Sequence, residues 1–183
     1  MYRIVTAAVA ALCLTVGVIA QEKTVMVGGA AMYPSKNIVE NAMNSKDHTT
    51  LVAAVKAAGL VETLQGKGPF TVFAPTNDAF GKLPAGTVDT LLEAGNKNKL
   101  KTILTYHVVA GSMTADDLMA KVHAGKEGKA ELKTVSGGKL WLMMQGSGLA
   151  VRDEKGHTAM VTIPDVRQSN GVIHVVDTVL MPR

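Results

Sequence analysis

Residues Asn170-Gly171-Val172-Ile173-His174-Val175-Val176-Asp177-Thr178-Val179-Leu180-Met181-Pro182 carry the most information about how this chain folds. Asn-Gly is a strong turn former, and the β-branched apolar run behind it reads as a strand. Strand alternation places Val172, His174 and Val176 on one face, with Ile173, Val175 and Asp177 on the other. His174 is thereby a hydrogen-bonded residue among apolar neighbours rather than a ligand. Working back from this strand, Glu131 to Val135, Lys139 to Met144, Leu149 to Arg152 and Thr158 to Ile163 are further short β-type runs. Gly137-Gly138, Gly146-Ser147-Gly148 and Asn170-Gly171 supply the turns between them.

Earlier in the chain the pattern is mainly helical. Ser35 can cap a short helix with Ile38, Val39, Ala42 and Met43 on one side. A second helix starts near Asp47 to Thr50, lined by Leu51, Val52, Val55 and Ala58, and Gly59 stops it. Phe70 to Ala74 is a strand ended by Pro75, and Thr76 caps the turn of helix that carries Ala79 and Phe80. Another helix follows Pro84, with Val88, Leu91 and Leu92 inward. Asn96 to Tyr106 shows the clearest helical period, in Leu100, Ile103 and Leu104. Thr114-Ala115-Asp116-Asp117 matches a capping box ahead of Leu118 and Met119. Helices first and strands after, without alternation, predict an α+β fold with a largely antiparallel sheet and helices packed against it.

The chain has 183 residues, 47% apolar and 19% charged, enough to bury a core. Residues 1–20 read as a signal peptide: Arg3, then a charge-free run from Ile4 to Ala20. Cleavage there would remove the one cysteine, Cys13, which follows Leu12 and so lacks the small residue a lipidation site needs. It would also leave 18 basic against 15 acidic residues, net +3, with no span to cross a membrane. Residues 21–34, with Gly28-Gly29 and Pro34, read as a linker, and residues 35–183 as one domain. The lysines at 97, 99 and 101 and at 121, 126, 129 and 133 lie among acids and few aromatics. They form solvated faces and predict no nucleic-acid partner.

Three stretches together resemble the signature boxes of the fasciclin domain family. They are Gly68-Pro69-Phe70-Thr71-Val72-Phe73-Ala74-Pro75-Thr76-Asn77-Asp78-Ala79-Phe80, the central Leu104-Thr105-Tyr106-His107-Val108-Val109-Ala110-Gly111, and the run from Asn170. The resemblance implies a wedge of antiparallel strands with several helices around it. It also implies an extracellular or surface-attached module for adhesion or matrix contact, with surface proteins or envelope and matrix glycans as partners. In animal members the Tyr-His box is tied to cell adhesion, which makes Tyr106 and His107 the candidate binding residues. Tyr106, at the edge of its helix's apolar face, is the better placed for external contact. No lipid-anchor tail follows the last box and no Asn-x-Ser/Thr sequon occurs, which suits a secreted or periplasmic, cell-surface form.

Some members of that family carry long apolar pigments such as carotenoids. Flexible Met113, Met119, Met143, Met144 and Met160 would suit an apolar small ligand, although as core fillers they need no ligand at all. The residues do not point to an enzyme. The five histidines, His48, His107, His123, His157 and His174, include no i, i+4 pair and no His-Glu-x-x-His. Ser147 lacks a nucleophile-elbow pattern, and Gly28-Gly29 does not open a phosphate loop. The expectation is therefore a non-catalytic interaction module without cofactor or metal, with an apolar carrier as the alternative.

Overall fold

The computed structural model describes residues 23–183. In chain order the elements are β1 (Val25–Val27), β2 (Ala30–Met32), α1 (Ile38–Ala42), α2 (Thr49–Ala58), α3 (Val61–Gln65), β3 (Phe70–Pro75), α4 (Asn77–Gly81), α5 (Thr87–Leu92), α6 (Lys97–Tyr106) and β4 (Val108–Ala110). Then come α7 (Ala115–Ala124), β5 (Lys129–Lys133), β6 (Lys139–Gln145), β7 (Gly148–Arg152), β8 (Thr158–Gln168) and β9 (Gly171–Val176). Strands β3 to β9 form one sheet in the order β4-β3-β9-β8-β7-β6-β5. The β3–β9 pair is parallel and the other neighbours are antiparallel. A bridge between Val109 and Thr134, with the Val135 N–H donating to the Val108 carbonyl at 2.8 Å, brings the two edges together. The sheet is nearly closed, and the fold is α+β.

Period-two patterning explains why the late segment is strand. In β5, Ala130 and Leu132 are buried while Lys129, Glu131 and Lys133 are exposed; in β6, Leu140 and Leu142 are buried while Lys139 is exposed. The buried set joins Phe73, Tyr106, Val151, Val176 and Leu180 in one cluster, completed by Leu118 and Val122 of α7. The second cluster lies between the sheet and the early helices, around Ile38, Leu51, Val55, Val72, Leu104 and Ile173. Strand β9 serves both clusters and is buried along its whole length. Each buried Val or Ile of that strand contributes about 1.5–3 kcal/mol.

Local chemistry ends several elements where the sequence predicts. The Thr76 hydroxyl accepts from the Ala79 N–H, Thr114 and Asp117 form a reciprocal capping box, and Gly59 stops α2 in the left-handed region. The first helix is capped by Asn37 rather than Ser35. The stretch read as a linker is a correction. From Val25 to Met32 it is a hairpin whose Val27 and Met32 are buried in the helix-side core. Its two glycines are the turn, at φ +57° and +76°. Gly28 also passes so close to the next segment that a Cβ there would lie 2.4 Å from the Ser45 Oγ. The proposed leader, including Cys13, lies outside the described residues.

Candidate functional site

Tyr106 and His107 end α6 and are both inside the protein. Tyr106 is 0% exposed. Its hydroxyl donates to the Lys139 carbonyl at 2.6 Å and accepts from the Glu154 N–H at 3.0 Å, tying α6 to the β5–β6 turn region and to the segment after β7. Burial pushes its pKa up to about 12. The expectation of an external contact through Tyr106 is thus corrected. α6 packs on two clusters at once, and the side chain at the edge of the first apolar stripe belongs to the second.

His107 is a buried link to the C-terminal segment. Its Nδ1–H donates to the Ile103 carbonyl at 2.8 Å, and its Nε2 accepts from the Leu180 N–H at 3.0 Å. Both ring nitrogens are satisfied in the neutral form, and burial lowers the pKa to about 4. His174 is also a buried spacer. Its Nε2–H donates to the Met113 carbonyl at 2.9 Å, and it stacks on Phe73 with centroids 5.8 Å apart. The Asp165 N–H approaches its Nδ1 at 3.4 Å. Burial lowers its pKa too. Asp177 accepts from the Met160 N–H instead, so His107, His174 and Asp177 form no shared site. Among the described residues no cluster of His, Cys, Asp and Glu could hold a metal.

The three signature boxes therefore join one another. Strands β3 and β9 lie side by side, pairing Phe73 with His174 and Ala74 with Val175. Asn170 fastens this pair to the helices. Its Oδ1 accepts from the Ile38 N–H at 3.0 Å, and its Nδ2 donates to the carbonyls of Leu64 and Gly66 at 2.8 and 2.9 Å. Outward-facing chemistry lies elsewhere. On the open face of the sheet Trp141 stands opposite Arg152 on one side and Glu131 on the other. Trp141 and Arg152, with Met143, Lys129, Glu154 and Gly156, line a cleft of about 320 Å³. The signal for it was present in the sequence, since β6 alternation puts Trp141 and Met143 on the same face as exposed Lys139.

One apolar cavity of about 50 Å³ lies between the hairpin, α1, α2 and the sheet, walled by Val27, Met32, Val39, Val55, Val72 and His48 among others. None of the five methionines singled out above reaches it. Pockets for drug-sized ligands run to roughly 300–1,000 Å³, so this space does not enclose a carotenoid.

A nearly closed sheet with its two signature strands paired in parallel, the early helices packed on one core and α7 on the other, defines a particular class of α+β module. This chain belongs to the fasciclin domain family, whose Fasciclin domain model matches residues 46–182. Over 161 residues it is 48% identical to Protein sll1483 of Synechocystis sp., covering 88% of this chain and 82% of that one. It is 37% identical over 149 residues to transforming growth factor-beta-induced protein ig-h3 of Sus scrofa, spanning 81% of this chain but 20% of that protein. The fold also matches a FAS1 domain pair from the insect cell adhesion molecule Fasciclin I, with a TM-score of 0.70 and 20% identity over 81% of this chain and 52% of that one. Fasciclin domains occur in extracellular or secreted proteins, and among the described residues no helix is long and apolar enough to cross a membrane.

Proposed function

We propose that this chain is an exported, non-catalytic interaction module that attaches cell-surface or matrix components through the open face of its sheet. The observation that carries this reading is the cleft at Trp141. It sets the chain's one tryptophan beside Met143 and Arg152 on a face that also carries exposed Lys129, Glu131, Lys133 and Lys139. Trp, Met and Arg are enriched at protein interfaces, and Trp and Arg dominate their energetic centres. Arg152 forms no ion pair among the described residues, so its guanidinium is available to a carboxylate or hydroxyl of a partner protein or envelope glycan. The likeness to a domain pair from an insect cell adhesion molecule supports the adhesive part of the reading.

The test is binding of the purified protein to intact cells and envelope fractions of its native host. Trp141→Ala should weaken binding at least tenfold, because truncating a central interface tryptophan costs about 2 kcal/mol or more. Trp141 is half-buried, so the variant should stay folded. Wild-type binding by folded Trp141→Ala would remove the proposal.

A further inference from the structure

The acids around the Trp141 cleft are taken up by the protein itself. Glu154, in its lining, accepts from the Lys139 backbone N–H at 2.9 Å through Oε1 and from the Arg183 backbone N–H at 3.2 Å through Oε2. Asp153 is buried, accepts from the backbone N–H groups of Lys155, His157 and Met181, and pairs with the His157 Nδ1. Glu131, opposite Trp141, pairs with the Lys139 ammonium at 2.9 Å.

The cations are far less engaged. The Arg152 guanidinium has neither an ion pair nor a hydrogen bond among the described residues. A Cβ on Gly156 would lie 3.3 Å from its Nη2, so this turn glycine leaves room for the guanidinium at the cleft wall. Lys129 has a 3.7 Å pair with Glu127, whose side chain is 84% exposed, and such pairs contribute little. Lys133 is exposed on the same strand, and Arg183 stands at the cleft edge with its Nε donating to the Glu154 carbonyl at 3.4 Å. Around one indole, the face thus presents positive charge and hydrogen-bond donors, with the neighbouring carboxylates occupied.

This chemistry selects among partners. An extended peptide finds no free edge at Trp141, because β6 is paired on both sides by β5 and β7. A docked amphipathic helix needs an apolar groove, and the positions around Trp141 are charged. An acidic polysaccharide suits every feature. A pyranose ring has a flat C–H face that can lie on an indole and rim hydroxyls that accept from lysine. In a uronate, it also has a carboxylate that takes the fork of an arginine. Lys129 and Lys133 are four residues apart on β5, roughly 13 Å along the strand, and meet carboxylates of further sugar units.

We propose that the Trp141 cleft binds an acidic polysaccharide, with a uronate ring on Trp141 and its carboxylate on Arg152. This rests on the cleft being the adhesive surface and adds the chemistry of its partner.

The experiment measures equilibrium binding of the purified protein, at physiological salt, to polygalacturonate, to its fully methyl-esterified form and to polyglutamate. The ester keeps the sugar rings without the charge, and polyglutamate keeps the charge without the rings. Polygalacturonate should bind at least tenfold more tightly than either. Arg152→Gln, a change at an exposed position, should bring polygalacturonate down to the level of the ester. Trp141→Ala should weaken both sugar polymers and leave polyglutamate unchanged. Equal binding of polygalacturonate and its ester would overturn the proposal, as would polyglutamate binding as tightly as polygalacturonate; neither comparison needs a variant to fold. If Trp141→Ala loses binding to cells while polygalacturonate shows no such preference, the adhesive cleft stands and the acidic-polysaccharide assignment alone falls.

Discussion

Replacing Tyr106 with Phe removes one oxygen from the interior and leaves the ring in place. That oxygen serves two backbone groups, the Lys139 carbonyl at 2.6 Å and the Glu154 N–H at 3.0 Å. A hydrogen bond is worth about 1 kcal/mol net, and a buried partner left unpaired costs about 1–3 kcal/mol. The two together predict a loss of about 2–4 kcal/mol. For a domain of this size each kcal/mol moves Tm by about 2–4 °C, so Tyr106→Phe should melt roughly 5–15 °C below wild type. Thermal unfolding followed by far-UV circular dichroism measures this, with exposed Tyr33→Phe as the control that should not move. Binding to host cells, assayed well below both melting temperatures, should be the same for Tyr106→Phe and wild type. A variant with an unchanged Tm and lost binding would refute the reasoning, because it would put the hydroxyl on a partner instead of on Lys139 and Glu154.

Two further outcomes test the buried polar groups. The unfolded chain protonates His107 near pH 6.5, whereas the folded chain refuses the proton until about pH 4. Stability is therefore complete above pH 6.5 and falls as the pH drops through that window, by about 3 kcal/mol for this residue at pH 4. Burial of His48 and His174 adds loss of the same sign; a urea midpoint that held steady between pH 7 and pH 4.5 would contradict this. Asn170→Ala should cost about 3 kcal/mol or more, since the Ile38 N–H and the Leu64 and Gly66 carbonyls lose their partner together. Chemical denaturation with an unchanged midpoint would show that water replaces the amide without loss.

The sheet was legible because alternation is a local property. From Lys129 to Val176 each strand shows period two or a continuous apolar run, and glycines stand at the turns. Caps were legible for the same reason, as Thr76, Thr114 and Gly59 act within a few residues of themselves. The hairpin at Val25–Met32 was not, because three-residue strands are too short to establish a period and Gly-Gly reads equally well as a tether. Strand β8 runs on to Gln168 past Pro164, through register irregularities that include Asp165 at φ +57°; local propensity had ended it at Ile163. Tyr106 reads as an edge residue in the sequence because its helical period shows a single apolar stripe, whereas α6 meets two cores.

Strand β9 is made last among the strands yet sits in the interior of the sheet, between β3 and β8. Its parallel partner was synthesised about a hundred residues earlier, with Phe70 awaiting Gly171. A nascent chain that stops before Gly171 exposes the open edges of both β3 and β8 and has no route to close the sheet, however complete its helices are. Closure of the sheet thus waits for the last strand of the domain. The gap between β3 and β8 stays open until that one strand slides into it, and the two halves of the sheet lock together in the same step.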